Sequence, residues 1–354
     1  MSASSSARTG VLLLNLGTPA SPAPADVGRY LREFLMDPLV IDIAAPLRWF
    51  LVNVLVVPRR SKTSGEAYEK VWTKRGSPLL FHLLDLHEKV ERRLGADYVV
   101  LPAMRYGTPS ILSQLAELRK QNVDQLVVLP LYPQYSLAAT ESSVLEVKRA
   151  LGELGWNIAP EVIPAFFDRP EFVESFRQVI ARELAKRPYD YLLFSFHGLP
   201  VRQVKRTDRS AGKTHCFATP DCCDRMVDAN RDCYRAQCFQ TARSLAGVLG
   251  LPPERYGVSF QSRLGRTEWI KPYSDVLYEE LPRKGIRRIA VACPAFVADC
   301  LETLEEVALR GRETFVQAGG EDLFLVPSLN SDDTWAETVC RMVGQRVAMP
   351  SRSP

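Results

Sequence analysis

One rhythm, running through the chain twice, constrains the fold more than any single motif. The short apolar runs Val11–Leu16, Tyr98–Ala103, Leu126–Leu131, Tyr191–Phe196, Tyr256–Gln261 and Ile289–Cys293 alternate with helical stretches such as Ile111–Gln121, Ser142–Leu154, Glu171–Lys186 and Thr303–Phe315. Apolar runs without polar alternation predict strands buried on both faces, and helices between them predict parallel crossovers. The halves also echo each other. Leu12 to Pro19 matches Leu192 to Pro200, Tyr98 to Gly107 matches Tyr256 to Gly265, and Ala138–Val147 lines up with Ala298–Val307.

The expected architecture is therefore α/β, with two similar Rossmann-like domains, each a parallel sheet flanked by helices, and a ligand cleft between them. Residues 1–10 read as a flexible tail, 11–164 as the first domain and 165–329 as the second. The last segment, 330–354, reads as a closing helix that packs back on the first domain, followed by a tail. In such sheets ligands gather at the carboxyl ends of the strands, where both echoed turns fall.

Composition narrows the function. A chain of 354 residues suits two domains, and 46% hydrophobic with 24% charged residues is globular. A net charge of +4 without a basic cluster speaks against nucleic acid as a partner. Gly17-Thr18-Pro19 makes no dinucleotide fingerprint and no phosphate-binding loop occurs, so no nucleotide is expected. Met1–Thr9 lacks the apolar core of a secretory signal, which points to the cytoplasm. Ala44–Val57 is the most apolar stretch, interrupted by Arg48 and too short to span a bilayer. It reads either as a buried helix or as a lip touching the membrane surface through Trp49 and Phe50.

The chemistry-bearing residues collect in the second half. His197 closes a predicted strand just before Gly198, and reads as a proton acceptor or as a structural histidine. Asp299, Glu302 and Glu306, spaced by three and four, should share one helical face. They read as a proton- or metal-handling set or as a solvated, dipole-favoured first turn. Arg105-Tyr106 and Trp269 add arginine and aromatic surface suited to a flat, carboxylated ligand, or simply to packing.

Taken in order, these segments resemble the ferrochelatase family. The resemblance is carried by Asn15 to Pro19, Arg105-Tyr106-Gly107, Pro130 to Ser136, Ser195 to Pro200, Phe260 to Gly265 and Asp299 to Glu306, and it covers about Val11 to Val347. It implies two chelatase-like domains clamping a porphyrin, with insertion of Fe2+ into protoporphyrin IX and loss of two pyrrole protons. By the same resemblance His197 and Glu302 are the catalytic pair and meet the substrate iron, while Asp299 and Glu306 form an acidic path. Leu16, Arg105, Tyr106 and Trp269 line the porphyrin pocket, and Arg59 and Arg60 approach its propionates. Residues 30–57 match an apolar lip, so peripheral contact with the inner face of the plasma membrane is expected, with the preceding oxidase of the haem pathway as a candidate partner. A cobalt or nickel tetrapyrrole chelatase and a coproporphyrin ferrochelatase are the neighbouring alternatives. A haem-closing binding protein is the non-enzymatic one, and a monomer is the expected state.

The chain departs from the pattern in two places. Cys300 stands where several family members carry histidine. An insertion at 202–238 holds Cys216, Cys222, Cys223, Cys233 and Cys238. No C-x2-C pair is present, which disfavours a zinc ribbon. Leu137 occupies the position that supplies a cluster ligand in mitochondrial relatives. A [2Fe–2S] cluster held by four of the five insertion cysteines is favoured over zinc and over free thiols.

Overall fold

The computed structural model describes residues 8–263, 265 and 267–348. The terminal tails, 1–7 and 349–354, and Leu264 of the Phe260–Gly265 motif lie outside the described residues. The chain divides into two compact units. One contains residues up to Leu131, Leu137–Pro164 and the segment from Ser331 onward, and the other contains Tyr132–Ser136 and Ala165–Asn330.

Each unit holds a four-stranded, wholly parallel sheet flanked by helices. In the first, β1 (Thr9–Gly17), β2 (Tyr98–Tyr106), β3 (Gln125–Pro130) and β4 (Pro160–Val162) lie in the order β2-β1-β3-β4. In the second, β5 (Tyr191–His197), β6 (Tyr256–Gln261), β7 (Arg288–Ala292) and β8 (Asp322–Leu325) lie in the order β6-β5-β7-β8. Each unit's first strand is thus interior, and the two topologies are the same. The interior strands, together with the edge strands β2 and β6, are the apolar runs of the sequence. Val11, Leu12, Leu13 and Leu14 are all fully buried, because helices cover both faces. The edge strands β4 and β8, of three and four residues, carry no comparable run, and the apolar pattern did not single them out.

The helix anticipated at Thr303–Phe315 is real but differently wound. Glu302–Gly311 is π-helical and runs on as α-helix over Arg312–Gln317. A second π-helical turn, Leu137–Glu141, precedes the helix Ser142–Glu153, and a third, Leu51–Val56, follows the helix Ala45–Phe50. Such turns insert an extra residue per turn and concentrate at functional sites. In the first unit the terminal helix Asp333–Ala348 packs on the helix Pro78–Leu94, where Asp333 pairs with Lys89 at 3.0 Å and with Arg93 at 2.7 Å.

Candidate active site and cysteine-rich insertion

His197 is the last residue of β5, so the interior strand delivers it to the carboxyl edge of the second unit's sheet. Its Nδ1 lies 2.6 Å from the carbonyl oxygen of Gly198. A carbonyl can only accept, so Nδ1 donates, and in the neutral ring Nε2 is then the nitrogen able to accept a proton. Gly198 is required by crowding. A Cβ there would lie 2.8 Å from the Gln261 carbonyl oxygen and 3.2 Å from the Trp269 ring. Trp269 is held beside this turn by Val201 N to Glu268 O and Ile270 N to Leu199 O, both 3.0 Å. The Phe296 ring also lies near His197, with the two centroids 6.3 Å apart.

Gln261 joins this strand end to the acidic segment. It is paired in register with His197, and its Nε2 donates to the backbone carbonyl of Glu302 at 2.8 Å. Its Oε1 accepts from Ser195 Oγ at 2.6 Å, and Ser195, Ser274 and Ser259 continue the buried chain of hydroxyls. Glu302 opens the π-helix and is half-buried. Beside it the Cys300 thiol is pushed well up, first by burial and then by the Glu302 carboxylate, its hydrogen-bond partner.

The other two carboxylates are already engaged. Asp299 precedes the helix instead of sharing its face, and its oxygens accept from Thr303 Oγ1, Ser328 N and Asn330 Nδ2 at 2.8–3.2 Å. Glu306 is clasped by the backbone N of Ser262 at 2.8 Å and by its hydroxyl at 2.6 Å. Ser262 adopts φ +66° to make that clasp, a left-handed conformation that costs a non-glycine residue energy and is concentrated at functional sites. Among the described residues, no group of three or more His, Cys, Asp or Glu side chains is placed to hold a metal ion.

In the first unit, Leu16 sits near the end of β1 and is half-buried. Arg59 and Arg60 are exposed on the helix Val57–Val71. Arg105 and Tyr106 end β2, but they differ in access. Tyr106 is wholly buried, whereas the Arg105 side chain keeps 15% of its surface. The structure also brings in a residue that sequence patterning passed over: Asp37, buried just after the helix Pro24–Leu35, is bonded to both of them. A lone aspartate before a proline reads in sequence as an ordinary turn residue, and only its burial marks it.

The insertion is organised by Asp208, another residue that sequence patterning passed over. Its Oδ2 accepts from Cys216 N at 2.7 Å and His215 N at 2.9 Å, and its Oδ1 accepts from Ser210 N and Oγ. Burial acts against its charge, yet these donors win and hold its pKa at about 2. The sulfurs form a chain of pairs. Cys222 and Cys223 lie 3.7 Å apart, Cys223 neighbours Cys233, and Cys233 neighbours Cys216. Cys238 is wholly buried, and its side-chain hydrogen-bond partner is Tyr234.

Comparison with known proteins matches residues 8–347 to the family model described as Ferrochelatase. The chain is 43% identical over 337 residues to a ferrochelatase of Coxiella burnetii (strain Dugway 5J108-111), covering 95% of this chain and 93% of that one. It is 44% identical over 334 residues to a ferrochelatase of Opitutus terrae, covering 94% and 96%. Among solved structures, SirB from Bacillus subtilis with Fe3+ superposes with a TM-score of 0.54 at 12% identity, covering 97% and 96% of the two chains, which establishes the shared fold.

Proposed function

Because this chain belongs to the ferrochelatase family, we propose that it inserts Fe2+ specifically into protoporphyrin IX, with His197 accepting pyrrole protons and Glu302 meeting the iron. The activity itself, a lyase activity that places iron in a porphyrin, follows from the family. The observation that carries the residue assignment is the His197–Gly198 contact at 2.6 Å. It orients the ring with Nδ1 as the donor, which in the neutral ring makes Nε2 the accepting nitrogen, and two pyrrole protons must leave for each metal that enters. A planar porphyrin hides its nitrogens, so binding energy from its apolar face is best used to bend the ring. Trp269 and Phe296 supply aromatic surface beside His197 for that face. The lack of a ready-made metal cage around Glu302 suits a carboxylate that passes iron on, since a tight site would retain it.

Four of the insertion cysteines are the proposed ligands of a [2Fe–2S] cluster. Two thiolates on one tetrahedral metal with bonds of ~2.3 Å lie roughly 3.8 Å apart. The Cys222–Cys223 separation of 3.7 Å meets that spacing, and Cys223, Cys233 and Cys216 continue the pairwise chain. Cys216, Cys222, Cys223 and Cys233 would be the ligands, with Cys238 the spare. Such a cluster would cross-link the insertion and supply a one-electron couple.

The lip supports peripheral membrane contact at the inner face of the plasma membrane, where the oxidase that precedes this step would be the natural supplier of substrate. Leu47, Trp49 and Phe50 are 64%, 56% and 51% exposed, and no described helix is long and apolar enough to cross a membrane. The deciding experiment is anaerobic metal insertion, comparing protoporphyrin IX with coproporphyrin III and Fe2+ with Co2+ and Ni2+. Preference for protoporphyrin IX and Fe2+, lost in Glu302→Gln, supports the reading. Preference for coproporphyrin III or for another metal replaces the substrate, and an active Glu302→Gln variant removes Glu302 from the chemistry.

A further inference from the structure

We infer that Asp37 is a positioning residue for the porphyrin, setting Arg105 to receive a substrate carboxylate. Three donors from two parts of the first unit, the end of β2 and the head of the helix Ser142–Glu153, converge on one oxygen, Asp37 Oδ2. They are Ser142 Oγ at 2.5 Å, Arg105 Nη2 at 2.7 Å and Tyr106 Oη at 2.9 Å. The other oxygen, Oδ1, accepts from Leu39 N at 2.7 Å, and the Asp37 carbonyl accepts from Val40 N and Ile41 N. A single carboxylate therefore ties the start of the apolar lip to the end of β2 and to the head of the helix that follows the π-turn Leu137–Glu141.

The arrangement is built for aim. Arg105 Nε donates to Ser142 Oγ at 2.8 Å, and its guanidinium carbon lies 4.4 Å from the centre of the Tyr106 ring. Two of the three guanidinium nitrogens are thereby pinned by the Asp37–Ser142 pair, and the plane of the group is fixed. Nη1 has no protein partner among the described residues. A fixed guanidinium that keeps one nitrogen's donors unused has the geometry to take one carboxylate oxygen at little ordering cost. The Asp37 charge also offsets that of Arg105, so a substrate carboxylate would meet a directed hydrogen bond more than a bare cation.

Tyr106 belongs to the same device. With its ring wholly buried and its hydroxyl spent on Asp37, it acts through Arg105 and the lip and does not offer a face to the porphyrin. The lip start is held by the same oxygen that aims the arginine, so the mouth segment and the carboxylate contact are set together.

This inference rests on the porphyrin reading, and the test separates the two. Porphyrin dissociation constants and steady-state constants are measured for wild type, Asp37→Asn, Tyr106→Phe and Ser142→Ala, with the free-acid porphyrin and with its dimethyl ester. Asp37→Asn should raise Kd and KM for the free acid about tenfold, the loss of one well-aimed charged contact, with kcat within about twofold. Tyr106→Phe and Ser142→Ala should shift them in the same direction by less. The dimethyl ester should bind wild type and all three variants alike, because it offers no carboxylate to aim at. Equal loss for acid and ester, or a wild-type Kd for the acid in Asp37→Asn, would overturn the inference. If Asp37→Asn fails to fold, the acid-versus-ester difference in the two milder variants decides. A wild-type protein that binds no porphyrin would instead sink the underlying reading.

Discussion

Gln261 donates its side-chain amide to the backbone carbonyl of Glu302 at 2.8 Å while standing in register beside His197 on the neighbouring strand. One buried side chain thus fixes the spacing between a strand-end imidazole and the head of a π-helix. The bond reaches the Glu302 backbone, while the Glu302 carboxylate has the Cys300 thiol as its hydrogen-bond partner. Positioning groups of this kind act on the geometry of the reacting residues, and small displacements there are costly in rate.

Gln261→Met keeps the volume and removes both the donor to Glu302 and the acceptor for Ser195. Losing buried hydrogen bonds of this sort costs about 1–3 kcal/mol. The melting temperature should fall, and kcat should drop about tenfold or more while porphyrin binding persists. An undiminished kcat in a destabilised variant would confine Gln261 to a structural role.

His197→Ala removes the ring that the Gly198 contact orients and that is proposed to accept the pyrrole protons. General-base catalysis contributes roughly 10^2–10^4 in rate. The variant should bind porphyrin and lose insertion by a factor in that range, with partial recovery on adding free imidazole. Full activity without imidazole would reassign proton removal to another group.

Cys233→Ser should abolish bound iron and sulfide, because Cys233 is the link between Cys216 and Cys223. Cys238→Ser should retain both, since its partner is Tyr234. Iron and acid-labile sulfide counted per chain, with the visible spectrum, check the pair. Colourless wild-type protein purified without oxygen would return all five thiols to zinc or to free thiol chemistry.

Much of the fold was written in the chain because its interior strands are apolar on both faces, which leaves runs such as Val11–Leu14 with few alternatives. The short edge strands β4 and β8 were not legible, since Pro160–Val162 gains its strand character only by pairing with Val127 and its neighbours. The places of His197 at a strand end and Glu302 at a helix head could be read from motif order. The engagement of Asp299 by Thr303, Ser328 and Asn330 could not, because two of those partners lie 29 and 31 residues away. The π-winding of Glu302–Gly311 also had no periodicity signal, as spacings of three and four suit an α-helix equally well. Asp37 and Asp208 were invisible for a shared reason. Short polar residues in turns are common, and their value here comes from burial that only the folded chain creates.

The lip predicts a measurable surface preference. Replacing Trp49 and Phe50 together with serine removes two exposed aromatic faces from the helix Ala45–Phe50. Co-sedimentation with anionic vesicles should fall several-fold, while activity on detergent-dispersed porphyrin stays within about twofold. Unchanged vesicle binding would locate any membrane contact elsewhere.

Acid should loosen the insertion through Asp208 in a defined window. Its folded pKa of about 2 lies below the ordinary 3.8, so the ionised form stabilises the fold. That contribution is complete above the unfolded value and is lost as pH falls from near 4 through about 2. The bonds at stake include those that place the backbone at His215 and Cys216, so the local symptom is exposure of the Cys216 thiol. Alkylation of Cys216 in metal-free protein, sampled at low pH and quenched into labelling buffer faster than the loop recloses, should rise across this window. Asp208→Asn, which cannot ionise, should show raised alkylation at neutral pH and little further change on acidification. If wild type and Asp208→Asn traced the same curve, the carboxylate would have no hold on the loop, and the ordering of Cys216 would have to come from the sulfur contacts alone.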